Sequence, residues 1–484
     1  MRRFFLFVLL AGSWVRAQTP IEDDWDALYI GNGKVGYSHT VITKVQENGQ
    51  ELIQVHVESD VNMQRFGQTA GMKSNQNSFE TSTGKVVRLD NQTDMGAQVV
   101  RVKGTLVGNE MRLVMSTSGM DVPQSIPWGD DILGPYAQSA IVRKHLSTTG
   151  DAFQIRMFLP DANRVTTMKV NVGPLEETPM LEGTRKLRHL ESDMDVLPGV
   201  KTISWVDDSG DAIKTFTDVV GGMSTYRVTK DVALAEPTKV AHDFGLSTMV
   251  KMDKPIPHAF ERPEIVYRIR VDGDDAEKLF AQDEHQKFSR NAKGDLLLSV
   301  HRVAADAPPS SPQSAGPEFL KPNNYLQSND PKIVAIAAEI TKSESDPWKR
   351  ALKMEVWVHD HIQKKNYSTG FATAAEVAQN LEGDCTEHSV LLAALARAAG
   401  IPSRVATGFL YVEAENAFGG HMWTEVFVNQ KWIPLDATLG RGPVGGTHIK
   451  VADSSLDGVD AMLSFFPILR IVNKVHIEAV DAPL

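Results

Sequence analysis

Gly383-Asp-Cys-Thr-Glu-His-Ser-Val-Leu-Leu-Ala-Ala-Leu-Ala-Arg-Ala-Ala-Gly-Ile-Pro402 is the stretch around which this 484-residue chain is organised. From Cys385 to Ala399 it has no glycine, no proline and one β-branched residue beyond its first turn, so it predicts a helix. Gly400 supplies the stop and Pro402 forbids continuation. Asp384 fits the N-cap, which sets the Cys385 thiol in the first turn, where unpaired backbone N–H groups and the positive dipole end favour an anion. Cys385 is the only cysteine in the chain. A thiolate is the reactive form of that side chain, and helix starts and nearby imidazoliums favour it. Asp384 opposes it by like charge unless its carboxylate is occupied in capping.

A base is offered downstream by His421-Met-Trp-Thr-Glu-Val-Phe-Val428 and Lys431-Trp-Ile-Pro-Leu-Asp-Ala-Thr438, two strand-like runs joined by Asn429-Gln430. A two-residue hairpin turn pairs Val428 with Lys431. Continuing that ladder sets Asp436 opposite Trp423 and Thr438 opposite His421. His421 and Asp436 then share a sheet face as diagonal neighbours roughly 7 to 8 Å apart, within side-chain reach. A three-residue loop would aim Asp436 at the other face, so the chemistry depends on turn length. Cys385, His421 and Asp436 in that order suit nucleophilic acyl chemistry: the imidazole takes the thiol proton and returns it to the leaving group, while the carboxylate orients the ring. The backbone N–H of Cys385 is one oxyanion donor at the helix start, and Tyr367 is a candidate for a second.

Four segments, Gly383-Asp-Cys-Thr-Glu-His388, Ala396-Arg-Ala-Ala-Gly-Ile-Pro402, Gly420-His-Met-Trp-Thr-Glu-Val426 and Trp432-Ile-Pro-Leu-Asp-Ala-Thr438, resemble in order and spacing the transglutaminase-like superfamily, whose core is papain-like. The resemblance runs from about Trp348 to Thr438. It implies Cys385 as nucleophile, His421 as base and Asp436 as orienting acid. Thr386 stands where animal transglutaminases carry a tryptophan, which argues against protein cross-linking specifically. Bacterial members include peptidases and amidases, so the resemblance implies thiol-dependent chemistry on a protein or peptide amide. No cofactor and no metal are expected.

Met1-Arg-Arg, the apolar run Phe4 to Leu10 and the small residue Ala17 predict a signal peptide over 1–17 and an exported, periplasmic or extracellular, protein. A single cysteine in an oxidising compartment permits no internal disulfide. A net charge of −11 argues against nucleic-acid binding. After residue 17 no apolar run is long enough to span a membrane. From 18 to 303 the alternation of apolar and polar residues, as in Glu110-Met-Arg-Leu-Val-Met115, predicts antiparallel sheet with one wet face. Gly31-Asn-Gly-Lys-Val-Gly36 fits a dinucleotide-binding string, but strand-like residues follow where a helix is needed, so it reads as a turn. Asp272-Gly-Asp-Asp275 reads as a solvated turn, and the charge-rich 176–195 as a surface loop or short helix.

Residues 304–330, with Pro308-Pro309, Pro312, Pro317 and Pro322, predict an exposed linker. Helices are expected over 331–340, from Asp346-Pro347 to about 363, and over 372–379. His359 and His361 point to different sides of their helix and make a poor metal pair. Gly440 to Gly446 is a loop, 448–452 a strand, 456–465 a short helix and 469–480 a closing strand. The expected fold is therefore α+β: a β-rich antiparallel region over 18–303, then a transglutaminase-like, papain-like domain over 331–484. The favoured function is a thiol-dependent amide hydrolase or acyltransferase working through a thioester. Glutamine cross-linking and a non-catalytic binding or assembly role are the alternatives.

Overall fold

Alternating side chains build most of the first half of the chain. The computed structural model describes residues 19–480 apart from 97, 118–119, 237–242, 369–370, 459–462 and 464, so the expected signal peptide lies outside the described residues. Among them, fourteen strands form one antiparallel sheet in which almost every strand pairs with its chain neighbour. The exception sits in the middle, where Glu22–Ile30 lies between Gly33–Glu47 and Met223–Val228. Glu110–Thr117 shows the logic: Met111, Leu113 and Met115 point inward while Glu110, Arg112 and Val114 face out. The sheet curls, because Phe158 of the edge strand Ala152–Leu159 packs with Leu89, Val102 and Leu113 from the opposite arm. In the chain, the helix Pro135–His145 comes between the two edge strands, and it packs against Ala152–Leu159. Residues 176–195 are not a loop or short helix: Arg164–Pro179 and Thr184–Met194 are long paired strands.

The second half is helical before it is sheet. Asp330 caps Pro331–Thr341, Asp346 caps Pro347–His361 and Thr373 with Glu376 forms a capping box on Ala374–Asn380. These three helices surround Cys385–Ala398, whose residues from Glu387 to Arg397 are all buried. Ala417–Val428 and Ser403–Val412 pack against that central helix in a sheet ordered Val250–Lys251, Ala417–Val428, Ser403–Val412, His448–Ser454, with Lys431–Leu435 also paired to Ala417–Val428.

Strand pairing and packing run across the division expected at 304–330. Glu264–Val271 pairs with Val475–Ala479 near the end of the chain, and Val250–Lys251 extends the sheet that carries His421. One apolar core holds Tyr267, Ile269 and Leu298 together with Phe409, Phe418 and Ile477. Residues from about 250 to 303 thus pack with the C-terminal domain. Nor is 304–330 an exposed linker: Tyr325 and Leu326 are buried in the helical core, and Arg397 donates to the Lys321 carbonyl at 2.7 Å. The helix expected over 456–465 falls partly on 459–462 and 464, outside the described residues; a short helix is described at Phe466–Ile471 with Pro467 in its first turn, and the closing strand shortens to Val475–Ala479. Among the described residues, no helix is long and apolar enough to cross a membrane.

Candidate active site

Asp384 is extended, and its Oδ1 accepts from both the backbone N–H and the hydroxyl of Thr386, each at 2.8 Å. Glu387 answers by accepting the Asp384 N–H at 2.8 Å, completing a capping box. Gly383, at φ +147°, is required here, because an added Cβ would lie 2.4 Å from the Cβ of Glu387. The second oxygen of Asp384 is also occupied: Arg65 of the N-terminal sheet donates to Oδ2 at 2.8 Å. The like charge beside Cys385 is therefore balanced by a guanidinium from a segment 319 residues away.

The hairpin turn has two residues, Asn429 and Gln430, both at positive φ, and Val428 pairs with Lys431. The paired strand ends at Leu435, and Asp436 turns in just beyond it. His421 Nε2 contacts Asp436 Oδ2 at 2.9 Å, and the ring lies beside the Cys385 sulfur, with which it lines one cavity. Gly408 lies opposite His421, and a Cβ there would come 2.0 Å from the Ile449 carbonyl oxygen, so only glycine lets the strands close at this point. The structure thus brings Cys385, His421 and Asp436 together, with the sulfur half-buried and the acid fully so.

Burial alone would push the His421 pKa down, yet the Asp436 carboxylate and then the Cys385 sulfur raise it to about 10. Asp436 loses water too, but His421 beside it holds its carboxyl well below the usual range. His421 is therefore an imidazolium at neutral pH. Because its pKa is raised on folding, it contributes stability in full below its ordinary pKa of about 6.5, and that contribution fades as pH climbs through about 10.

A second imidazole was not legible in the sequence. His448 Nε2 lies 3.1 Å from the same Asp436 oxygen, its Nδ1 contacts the Thr447 hydroxyl at 3.1 Å, and burial lowers its pKa to about 4. It is neutral, with Nε2 as donor, so Asp436 accepts from two rings and from the Thr438 N–H at 2.8 Å. The ligand-type atoms of His421, Asp436 and His448 lie within 4.8 Å of one another, a donor set of a kind that metals use. Their separations are those of hydrogen bonds, and the remaining contact of His421 is to sulfur. His359 and His361 do turn apart: His359 contacts the Ala437 carbonyl and His361 the Trp357 carbonyl. Glu355, also missed, accepts from the Gly442 N–H at 3.0 Å, and burial and nearby Asp436 raise its pKa to about 8. Tyr367 sits near the thiol, where burial, Asp384 and Cys385 raise the pKa of its phenol.

A cavity of about 160 Å³ opens on Cys385, Thr386 and His421. It lies at the meeting of the two halves of the chain.

Residues 334–437 match the family model of the transglutaminase-like superfamily. No curated protein matches the chain. Among solved structures it is similar to a candidate cysteine protease from Cytophaga hutchinsonii at 17% identity, covering 46% of this chain and 90% of that one with a TM-score of 0.28. It is also similar to a β-barrel-like protein of a domain of unknown function, DUF1849, from Brucella abortus, at 14% identity, 43% and 96% coverage and a TM-score of 0.34. A candidate protease from Parabacteroides distasonis follows at 12% identity, 73% and 68% coverage and a TM-score of 0.19. At these identities and TM-scores the likenesses say nothing about the chemistry of this chain.

Proposed function

From the premise that its C-terminal domain belongs to the transglutaminase-like superfamily, we propose that this protein is a thiol-dependent hydrolase or acyltransferase acting on protein or peptide amides. The observation that carries the reading is the unbroken chain of contacts from the Cys385 sulfur to the His421 ring and on to Asp436. The sulfur, deprotonated by His421, attacks the amide carbon. Negative charge develops on the carbonyl oxygen, next to the backbone N–H of Cys385 at the helix start. His421 then gives its proton to the leaving nitrogen as the C–N bond breaks, leaving a thioester on Cys385. Water or an amine attacks that thioester, loses a proton to His421 and releases the sulfur. Asp436 stays ionised throughout and holds Nε2, which turns the other ring nitrogen toward sulfur. No cofactor enters these steps. Export by residues 1–17 belongs to the same proposal.

Alkylation by iodoacetamide tests the pairing. At neutral pH Cys385 reacts at least about tenfold faster in the wild type than in His421→Ala, because a neighbouring imidazolium favours the thiolate. Equal rates would deny His421 any part in activating the sulfur. Amide turnover falls on the alkaline side as pH passes about 10, where His421 has lost the proton that the leaving amine needs.

A further inference from the structure

The wall of the catalytic cavity comes partly from the N-terminal sheet. Gln50–Arg65 and Gln68–Glu80 are joined by a two-residue turn, Phe66-Gly67, with both residues at positive φ. Such a turn favours Asn-Gly, and the preceding hairpin of the same sheet has that pair, Asn48-Gly49, at nearly the same angles. Phenylalanine at φ +49° is an outlier for a bulky side chain, and strained positions of this kind gather at ligand clamps. The strain is held in place. Asp243 accepts from the N–H groups of Phe66 and Gly67 at 2.9 and 2.7 Å, and the Phe66 ring lies 5.0 Å from that of Tyr367. On its other side the ring presses on Gly245, where an added Cβ would come within 2.7 Å of it. Gln68 adds a hydrogen bond from the Tyr367 N–H at 2.9 Å.

So fixed, Phe66 remains 44% exposed and lines the cavity that holds Cys385. Phe244, Met422, Phe465, Ile468 and Val472 make up much of the remaining wall. Arg65 reaches the same space, but its guanidinium is engaged by Asp384. His421 is likewise paired, with Asp436, so a charged side chain entering here would lose water against charges that already have partners, whereas an aliphatic or aromatic one would bury apolar surface.

We propose that the Phe66 turn is the specificity element of this site, forming with the C-terminal domain a pocket for an uncharged, apolar side chain on the acyl side of the scissile amide. The inference rests on the thiol reading above. The side chain belongs on the acyl side because the pocket opens on Cys385 and Thr386, where the carbonyl carbon is held on sulfur. The N-terminal sheet therefore takes part in choosing the substrate.

The test uses the full chain and three peptidyl chloromethyl ketones that differ only in carrying a leucine, aspartate or lysine side chain next to the ketone. Each rate of Cys385 labelling is divided by the iodoacetamide rate of the same protein. In the wild type the leucine reagent is at least about tenfold faster than the other two. Phe66→Asn suits the turn, so its melting temperature holds or rises, while the leucine preference falls to within about threefold. Phe66→Leu keeps most of it. Equal normalised rates in the wild type, or an undiminished preference in Phe66→Asn, overturn this inference and leave the thiol reading intact. A sulfur inert to iodoacetamide and to all three ketones overturns both.

Discussion

Cys385→Ala lowers amide turnover by at least about a thousandfold, because removing the nucleophile leaves only binding and oxyanion stabilisation. The same change shifts stability by no more than about 0.5 kcal/mol. Cys385 is half-buried in the first turn of its helix, and the cap that starts this helix is made by Asp384, Thr386 and Glu387. The sulfur contributes to none of those hydrogen bonds, and alanine is the better helix former. Turnover and thermal melting, measured on one preparation, separate the two effects. Turnover within tenfold of the wild type would remove the thiol from the reaction. Loss of activity accompanied by a large fall in melting temperature would instead make Cys385 a packing residue.

Lys450→Met destabilises the fold by about 3 to 5 kcal/mol, the usual loss when one partner is removed from a buried ion pair. Lys450 is completely buried, with its Nζ 2.7 Å from Asp283, 2.8 Å from Glu425 and 2.8 Å from Asp453. Burial would lower its pKa, yet Glu425 and then Asp283 hold it above the usual lysine value. Asp283 belongs to the stretch before 303, whereas Glu425 sits on the strand that carries His421. Without the ammonium, Glu425 keeps Arg404 at 2.6 Å, but the mostly buried Asp283 loses its lysine. Adding Asp283→Asn to Lys450→Met restores part of the loss, since it removes the stranded charge. Urea denaturation of the three proteins reads both effects. A loss below about 1 kcal/mol in the single variant would show that this cluster does not bind the 280s to the catalytic sheet.

What was legible in the sequence was local. Gly400 and Pro402 end one helix, Asp346-Pro347 starts another, and the two-residue spacing at Asn429-Gln430 fixes the parity that puts Asp436 on the His421 side. Each of these depends on neighbours in the chain. Thr184–Met194 was misread because its buried residues, Leu187 and Leu190, are three apart, which is the spacing of a helix face. His448, Arg65 and Phe66 reach the site only through tertiary approach, and no spacing between them and Cys385 announces it. The strained turn did leave one sequence signal: Phe66-Gly67 stands where a hairpin usually has Asn-Gly. Residues 304–330 read as exposed because prolines mark a break in regular structure, and Tyr325 and Leu326 show that such a break can still be packed.

The central claim is that an acyl group passes through the sulfur of Cys385. The most direct measurement mixes the full chain with p-nitrophenyl acetate, quenches in acid within the first turnover and locates the adduct by intact mass and peptide mapping. One acetyl group per chain is predicted, on the peptide that contains Cys385, formed more slowly in His421→Ala and absent in Cys385→Ala. Release of p-nitrophenol at the wild-type rate by Cys385→Ala, or an acetyl group found only on other side chains, would contradict it.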